Sequence, residues 1–262
     1  MAINEEVYKN LGLKGFLGAL PERIYKHLGS LGHVGTISDR LFKEGGYLSY
    51  ITNLLGVVSR YFVTLDPVLK SRYEVVTPIA FAGDFEIEIE FTITGTGNKI
   101  ILGDSHTTSM FFNISSSAFN VFIAGASQSF TFLPQAARDG KLHKVKYKLV
   151  GTSLEVFLDG ISLGSQTFTP YTGANDFIIG SSNSINNYFN GIIANVKLTD
   201  QSGASDVVTT FKLDQATANT ESSVEGGNSV TYINIPQSAR DSYTLDGNTW
   251  TDAAGNTIEV AP

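Results

Sequence analysis

A strictly alternating segment constrains the fold of this chain more than any other feature of its sequence. Between residues 85 and 93, large apolar residues alternate with Glu86, Glu88, Glu90 and Thr92. A period of two is typical of a β-strand that buries one face and exposes the other. A helix would scatter these residues around its circumference, so the segment is predicted to lie in a sheet with a core on one side.

Short segments of similar character follow along most of the chain. Strands are predicted over 99–102, 109–114, 119–123, 129–133, 142–149, 154–158, 177–179 and 192–198. Glycine-containing turns separate most of them, and no helical pattern intervenes. This spacing, in a chain with 26 Gly, 17 Phe and 11 Tyr, favours an antiparallel β-sandwich.

The N-terminal region contains an internal repeat. Residues 7–20 and 24–37 align at an offset of 17 residues, with six of fourteen positions identical. Pro21 suits the first position of a helix, and Gly12 and Gly29 stand where a helix commonly ends. Each unit is therefore predicted to form one short helix. Such helices are marginal in water, so they need a partner surface, which is either the neighbouring helix or another protein.

Three regions follow from these patterns. Residues 1–72 are predicted to be helical and to end with a more apolar helix over 47–61, and residues 73–202 to form the sandwich. Residues 203–262 are poorer in large apolar side chains and are predicted to form a β-rich extension, with strands over 207–213 and 230–235 and a strand pair around Asp246-Gly247. The predicted fold class is mainly β, with a small α-helical N-terminal region.

Composition excludes several classes of protein. The chain has no cysteine, so disulfides, zinc–thiolate sites, iron–sulfur clusters and cysteine nucleophiles are excluded. The first six residues include two Glu and no apolar core, which argues against a secretory signal. The apolar stretch at 47–69 is interrupted by polar residues, so no membrane span is expected. Residues 77–262 carry 9 basic and 18 acidic side chains, which argues against nucleic-acid binding.

Three separated motifs resemble one family of sandwich domains. Residues 139–160 resemble the central hairpin of laminin-G-like (concanavalin-A-like) domains, with a strand that ends at Asp159-Gly160 and with Leu142 where the family usually has Trp. Residues 85–91 resemble the opening strand of these domains, and residues 190–198 the closing strand. The resemblance covers residues 75–202 and implies a concanavalin-A-like jelly roll.

Two other segments resemble bacteriophage proteins. Residues 22–32 and 38–42 are similar to short repeats at the start of phage structural proteins, and residues 221–234 to the segment that follows laminin-G-like domains in phage tail and fibre proteins. This resemblance implies a virion protein whose residues 1–72 bind other virion structural proteins. It also implies a homo-oligomer that is made in the bacterial host cytoplasm and is displayed on the particle surface.

Glu86, Glu88 and Glu90 resemble the Glu-x-Asp-x-Glu strand of laminarinase-type glycoside hydrolases. Here Glu replaces the middle Asp, and the chain has a single Trp to stack on a sugar. We therefore interpret the row as the solvated outer face of a strand. Lys144, Lys146 and Lys148 alternate in the same way and are expected to lie opposite this row or opposite Glu155. No catalytic residue is predicted.

The segment Gly103-Asp104-Ser105 resembles the Gly-Asp-Ser block of lipase- and esterase-type hydrolases. None of the four His lies three residues after an Asp, as that family requires, so the segment is predicted to be a polar turn. Some laminin-G-like domains bind calcium at a rim through Asp, Asn and carbonyl oxygens. The resemblance therefore makes Asp104 and Asn183 candidate calcium ligands, and no other cofactor is predicted.

A loop at 181–190 combines four Asn with two aromatic residues. Asn183, Asn186, Asn187 and Tyr188 are candidate sugar ligands, because amides supply donors and acceptors and a Tyr ring can stack on a sugar. The same composition also suits an Asx-turn loop or a subunit contact. The leading prediction is a non-enzymatic phage structural protein, in the tail, a tail fibre or a decoration, that aids adhesion to host glycans. The alternative is a carbohydrate-binding lectin as the main role, and a glycan hydrolase comes third.

Overall fold

A computed structural model of the chain describes residues 58–104, 110–132, 136–169, 173–182 and 187–262. Within these ranges Ser59–Pro262 form one compact unit. The strands, labelled β1 to β20 in chain order, are Val58–Leu65, Arg72–Val75, Ile79–Phe81, Phe85–Ile93, Lys99–Asp104, Met110–Ile114, Ala118–Ile123, Ala126–Thr131, His143–Val150, Ser153–Leu158, Ile161–Thr167, Gly173–Asn175, Phe177–Ile179, Gly191–Asp200, Val207–Phe211, Thr220–Ser222, Ser229–Ile233, Arg240–Asp246, Thr249–Asp252 and Thr257–Glu259.

A single 3-10 turn, Gln237–Ala239, is the one helical element in these ranges. The part of the chain that the structure describes contains no helix long and apolar enough to cross a membrane. The predominantly β fold class is therefore confirmed for these residues. The predicted helical repeats within 1–57 lie outside them.

The strands form two large, mainly antiparallel sheets. The front sheet has ten strands in the order β11-β10-β9-β4-β14-β1-β18-β19-β20, with β15 also paired to β14. The back sheet has eight strands in the order β16-β17-β2-β13-β5-β6-β7-β8. Strands β3 and β12 form a separate two-stranded sheet. Each strand predicted between residues 85 and 198 overlaps an observed strand.

The prediction of a helix over 47–61 is wrong at its described end, because Val58–Tyr61 begin β1. Val63 and Leu65 of this strand are buried in the main core. The adjacent Phe62 points to the other side of the sheet and is also buried. A strand with apolar residues on both faces has no period of two, so its sequence cannot be distinguished from that of a buried helix.

The main core lies between the two sheets. The apolar positions of β4 are fully buried there, which confirms the inward face predicted from the alternation. From β9, Tyr147 reaches across the interior, and its ring centroid lies 4.5 Å from that of Phe112 on β6. Buried residues that both sheets direct into this interior belong to one contiguous cluster.

A second, smaller apolar cluster lies on the outer side of the front sheet. The ring of Phe62 meets the rings of Tyr243 and Trp250 edge-on, with centroids 5.2 Å away in each case. Tyr243 belongs to β18 and Trp250 to β19. These two C-terminal strands of the same sheet therefore contribute the side chains that cover Phe62 on its outer side. The cluster fixes the position of Trp250 beside the charged outer face of β4.

Strands outside residues 73–202 take part in both sheets. From the N-terminal side, β1 pairs with β14 in the front sheet. From the C-terminal side, β15 extends the pairing of β14, and β17 pairs with β2 in the back sheet. The sequence boundaries at residues 72 and 202 therefore do not interrupt the sheets.

Candidate functional site

Two of the four candidate sugar ligands lie within the described residues. Asn183 and Asn186 lie outside the described residues. Asn187 and Tyr188 are half-buried and directly precede the fully buried Phe189. The carbonyl of Asn187 accepts a hydrogen bond of 2.9 Å from the backbone N–H of Ile100. This bond fixes the loop against the start of β5.

The calcium hypothesis also depends on one described residue. Asp104 ends β5 opposite Phe177 of β13, and it is 3% exposed. The other candidate ligand, Asn183, lies outside the described residues. Within the described ranges, no group of three or more His, Cys, Asp or Glu side chains is arranged to hold a metal ion. Calcium binding at Asp104 and Asn183 therefore stays a prediction.

The three acidic residues of β4 face the three lysines of β9. The register places Glu86 opposite Lys148, Glu88 opposite Lys146 and Glu90 opposite Lys144, which confirms the predicted pairing of these rows. The Lys144 ammonium lies 2.9 Å from Glu88, and the Lys146 ammonium lies 3.8 Å from Glu88 and 3.9 Å from Glu86. Exposed pairs of this kind contribute about 0–1 kcal/mol each, so the row is a charge-balanced outer surface.

At the end of this row, Glu90 lies beside Arg60 of β1, with 3.5 Å between carboxylate oxygen and guanidinium nitrogen. The guanidinium also donates to the carbonyl of Ala194 and, at 2.7 Å, to the carbonyl of Lys212. These bonds hold Arg60 in place across the front sheet. The pair therefore presents a fixed donor and a fixed acceptor at the outer surface.

His143, the first residue of β9, is held between two carboxylates. Its Nδ1 lies 2.7 Å from Asp159, and its Nε2 lies 2.7 Å from Asp139. The ring carries a proton on both nitrogens when it donates to both partners. Burial opposes the charged ring, but the hydrogen bonds to Asp159 and Asp139 outweigh it and raise the pKa of His143.

A cavity of about 530 Å³ lies beside these residues on the outer side of the front sheet. We call it the Trp250 pocket. Its apolar wall includes Leu142, Leu245, Trp250 and Val260, and its polar wall includes Arg60, Glu90, His143, Lys144, Asp159 and Asn248. Its volume lies in the range of small-ligand sites, and it combines an indole and aliphatic groups with polar and charged side chains.

Two features of the C-terminal strands build the far wall of the pocket. The turn between β18 and β19 places Asn248 at the rim and pairs Leu245 with Trp250. Strand β20 and the residues after it lie along the start of β9, where the N–H of Leu142 donates to the carbonyl of Glu259 at 2.6 Å. An ion pair of 3.0 Å between Lys141 and Glu259 reinforces this contact.

Sequence analysis missed this pocket, although it identified several of its parts. The Asp246-Gly247 turn and the hairpin that contains His143 and Asp159 were both evident from local patterns. Their proximity was not, because the residues that line the pocket range from Arg60 to Pro262 in the sequence. The chain's single Trp was the one local clue, since buried indoles are commonly found near binding surfaces.

No protein-family model matches the chain, and no curated protein matches it. Among solved structures, a proposed carbohydrate-binding protein from Bacteroides ovatus ATCC 8483 is similar over 78% of this chain and 62% of its own, with a TM-score of 0.55 and 14% identity. Domains LG4-5 of the mouse laminin α1 chain are similar over 69% of this chain and 47% of their own, with a TM-score of 0.47 and 20% identity. Sheep galectin-11 is similar over 46% of this chain and 93% of its own, with a TM-score of 0.32 and 10% identity.

The likeness to the Bacteroides ovatus protein shows that the two chains share a β-sandwich fold. The chain spans about three fifths of that protein and about half of the laminin domains. None of these three proteins comes from a bacteriophage, so the virion part of the prediction stays a prediction.

Proposed function

We propose that this chain is a non-enzymatic carbohydrate-binding protein and that its Trp250 pocket holds a sugar. The observation that carries the proposal is the placement of Trp250 beside Glu90, Arg60 and Asn248 in one cavity of about 530 Å³. The fold that the chain shares with a proposed carbohydrate-binding protein supports the same function.

The pocket offers the two kinds of contact that a sugar requires. A sugar ring has faces rich in C–H groups, which pack against Trp250 and Leu245, and an edge of hydroxyls that donate and accept hydrogen bonds. Glu90 accepts such bonds, Arg60 donates them, and the exposed amide of Asn248 does both. Because Trp250 is only 8% exposed, the sugar would meet the rim of the indole rather than its full face.

Binding without cleavage fits the state of the pocket's carboxylates. Both oxygens of Asp159 already accept hydrogen bonds, from His143 and from the N–H of Lys144 at 2.8 Å. Glu90 lies beside Arg60, and the next carboxylates of its row lie against lysines. A glycoside hydrolase needs one carboxyl as acid and a second as base or nucleophile. The paired carboxylates therefore support a binding role over a hydrolytic one.

Asn248→Ala and Glu90→Gln each test the pocket. Asn248→Ala removes an amide that can donate to and accept from a sugar, and Glu90→Gln replaces one acceptor oxygen and the negative charge with an NH₂ donor. We therefore expect the dissociation constant of a glycan identified on a glycan array to rise about tenfold in each variant, as measured by titration calorimetry. Val224→Ala is a matched control, because that side chain is 60% exposed and does not line the pocket. Unchanged affinity in both pocket variants would show that the sugar binds elsewhere or not at all.

The absence of hydrolysis is tested separately. We expect no reducing ends to appear when the chain is incubated with polysaccharides that it binds. We also expect Glu86→Gln to leave the fold intact, since Glu86 forms only a 3.9 Å surface ion pair. Cleavage by the natural chain that disappears in Glu86→Gln would contradict a binding role.

A bacteriophage virion role is a second candidate, and the repeats within residues 1–72 are the observation that favours it. In this role the N-terminal region binds other virion proteins, the chain forms a homo-oligomer, and the sandwich binds carbohydrate on the host surface. The test compares the full chain with a chain starting at Ser59 for incorporation into particles of a phage strain that lacks the native gene. Equal incorporation of both chains would exclude the N-terminal region as the anchor.

A further inference from the structure

We infer that the outer face of the back sheet carries a second carbohydrate site, which takes a ring of a neutral polysaccharide across β6, β7 and β8. The inference rests on the proposed function for the class of ligand. It uses none of the residues of the Trp250 pocket, so the two sites can be tested independently.

A stacked pair of aromatic rings marks the site. Phe111 of β6 lies directly opposite Phe122 of β7, and their rings are 10° from parallel with centroids 4.8 Å apart. Their strand neighbours Phe112 and Val121 are fully buried in the core, so the stacked pair points to the outer face. Both stacked rings are only half-buried. An outer face of a sandwich is ordinarily polar, so two phenylalanines there need an explanation.

The stack stops at a small, exposed residue. Ser127 of β8 lies directly opposite Phe122 and is exposed. Directly opposite side chains on paired strands are about 5 Å apart, which is close to the spacing of the stacked rings. The C–H face of a sugar ring can therefore pack on Phe122 over Ser127 and continue the stack. On the other side of the pair, Gly103 leaves no comparable space, because an added Cβ there would lie 2.7 Å from Ser182.

A ladder of polar side chains runs beside this space. Ser129 donates to Asn120 at 2.6 Å, and Asn120 donates to Asn113 at 2.7 Å, across three adjacent strands. The ladder runs in one direction, so among the described residues its free ends are the amide NH₂ of Asn113 and the lone pairs of Ser129. It lies two residues along the strands from the stacked rings, a distance of about 6.6 Å, so hydroxyls on a stacked sugar come within its reach.

The residues of this face determine the class of ligand. Phe111, Phe122, Asn113, Asn120, Ser127 and Ser129 carry no charge. An acidic polysaccharide would bring carboxylates or sulfates to these six uncharged side chains, none of which supplies a cation, whereas a neutral one brings only hydroxyls and C–H groups. We therefore assign the site to neutral polysaccharides.

The test is affinity electrophoresis of the full chain in gels that contain laminarin, xylan, galactan, mannan or alginate. We expect retardation by at least one of the four neutral polysaccharides and none by alginate. Ser127→Tyr fills the space beside Phe122 with a ring of the protein itself, and Asn120→Ala breaks the ladder. Each should weaken the apparent affinity about tenfold. Ser222→Tyr is the matched control, an exposed serine on β16 at the opposite edge of the same sheet, and should migrate like the natural chain.

The pocket variant Asn248→Ala separates this site from the proposed function. Loss of retardation in Ser127→Tyr but not in Asn248→Ala would support the sheet-face site and contradict the pocket. Loss in Asn248→Ala with full retention in Ser127→Tyr would overturn the sheet-face site and leave the pocket standing. Retardation by alginate alone would overturn the assignment to neutral polysaccharides. No retardation of the natural chain in any gel would overturn both.

Discussion

His143 shows how single residues hold the hairpin of β9 and β10 together. One partner, Asp139, precedes the hairpin, and the other, Asp159, follows it, so the imidazolium ties the two ends. Asp159 also accepts the N–H of Lys144, which fixes the carboxylate from a second direction. Since the same ring lines the Trp250 pocket, its protonation state affects both the stability of this rim and the polarity of the pocket.

The His143 contacts predict a stability maximum at mildly acidic pH. The pKa of His143 is raised in the folded state, so the protonated ring stabilises the fold. This contribution is fully present below about pH 6.5 and is lost as pH rises through the folded-state pKa. Burial opposes ionisation of Asp139, but its hydrogen bonds from Lys141 and His143 lower the pKa, so its contribution is present above about pH 3.8 and is lost as pH falls through the folded-state value. Together, His143 and Asp139 should therefore contribute most to the free energy of unfolding between about pH 3.8 and 6.5.

His143→Gln tests this expectation. The change leaves two carboxylates without their charged donor and should cost about 1–3 kcal/mol at pH 6. In the variant, the free energy of unfolding should fall less steeply above pH 6.5 than in the natural chain. Chemical denaturation at several pH values measures this difference. An identical pH profile in the variant would show that the imidazolium does not contribute.

At the scale of elements, β9 and β10 illustrate what alternation implies. Val145, Tyr147 and Leu149 face the core, while the lysines between them pair with the glutamates of β4. On the partner strand, Val156 is fully buried and Leu158 is 7% exposed. The inward face of β9 that its alternating lysines imply is thus confirmed, and the outer faces of β4 and β9 form a two-strand array of opposite charges.

Truncation of the inward face should be costly. Val156→Ala and Leu158→Ala should each lower the free energy of unfolding by about 1–5 kcal/mol, because the lost methyl groups leave a cavity in a close-packed core. Lys148→Ala, on the outward face of β9, should change it by less than about 0.5 kcal/mol. Urea denaturation of the three variants provides the comparison. A loss below 0.5 kcal/mol at both inward positions would contradict the described burial.

At the scale of the whole molecule, the described residues outside 73–202 complete the sandwich. Glu221, which is buried, accepts the backbone N–H groups of Lys212 and Leu213 and the hydroxyl of Tyr232. Tyr232 in turn packs edge-on against Tyr73 of β2, with centroids 4.8 Å apart. The C-terminal extension is therefore attached to the sheets by buried polar contacts as well as by strand pairing.

The position of β1 predicts where the chain can be shortened. A chain starting at Ser59 retains β1 except for Val58 and should unfold cooperatively with a far-ultraviolet spectrum typical of β structure. A chain starting at Tyr73 lacks β1 and so loses Val63 and Leu65 from the main core and Phe62 from the outer cluster. We expect it to be poorly soluble or strongly destabilised. Equal melting temperatures for the two chains would show that β1 is dispensable.

The sequence by itself determined those elements whose two faces differ. In β4 and β9 one face is apolar and the other charged, and this difference is local, so the alternation predicted both strands, their inward residues and the facing rows of Glu and Lys. The same local information failed for β1, where Phe62 and Val63 are buried on opposite faces. It also failed for β11, whose residues are almost all exposed and which is held by its backbone pairing to β10.

Only the tertiary structure decided the candidate binding sites. Trp250 comes to lie beside Glu90 because β18 pairs next to β1 in the front sheet and the C-terminal hairpin covers Phe62. Phe111 and Phe122 stack because the register of β6 and β7 places them opposite each other. Strand order and register depend on the packing of residues distant in sequence, and no local pattern encodes them. The sequence therefore specified which residues face inward in strands whose two faces differ, and the pairing of the strands decided which outward residues meet.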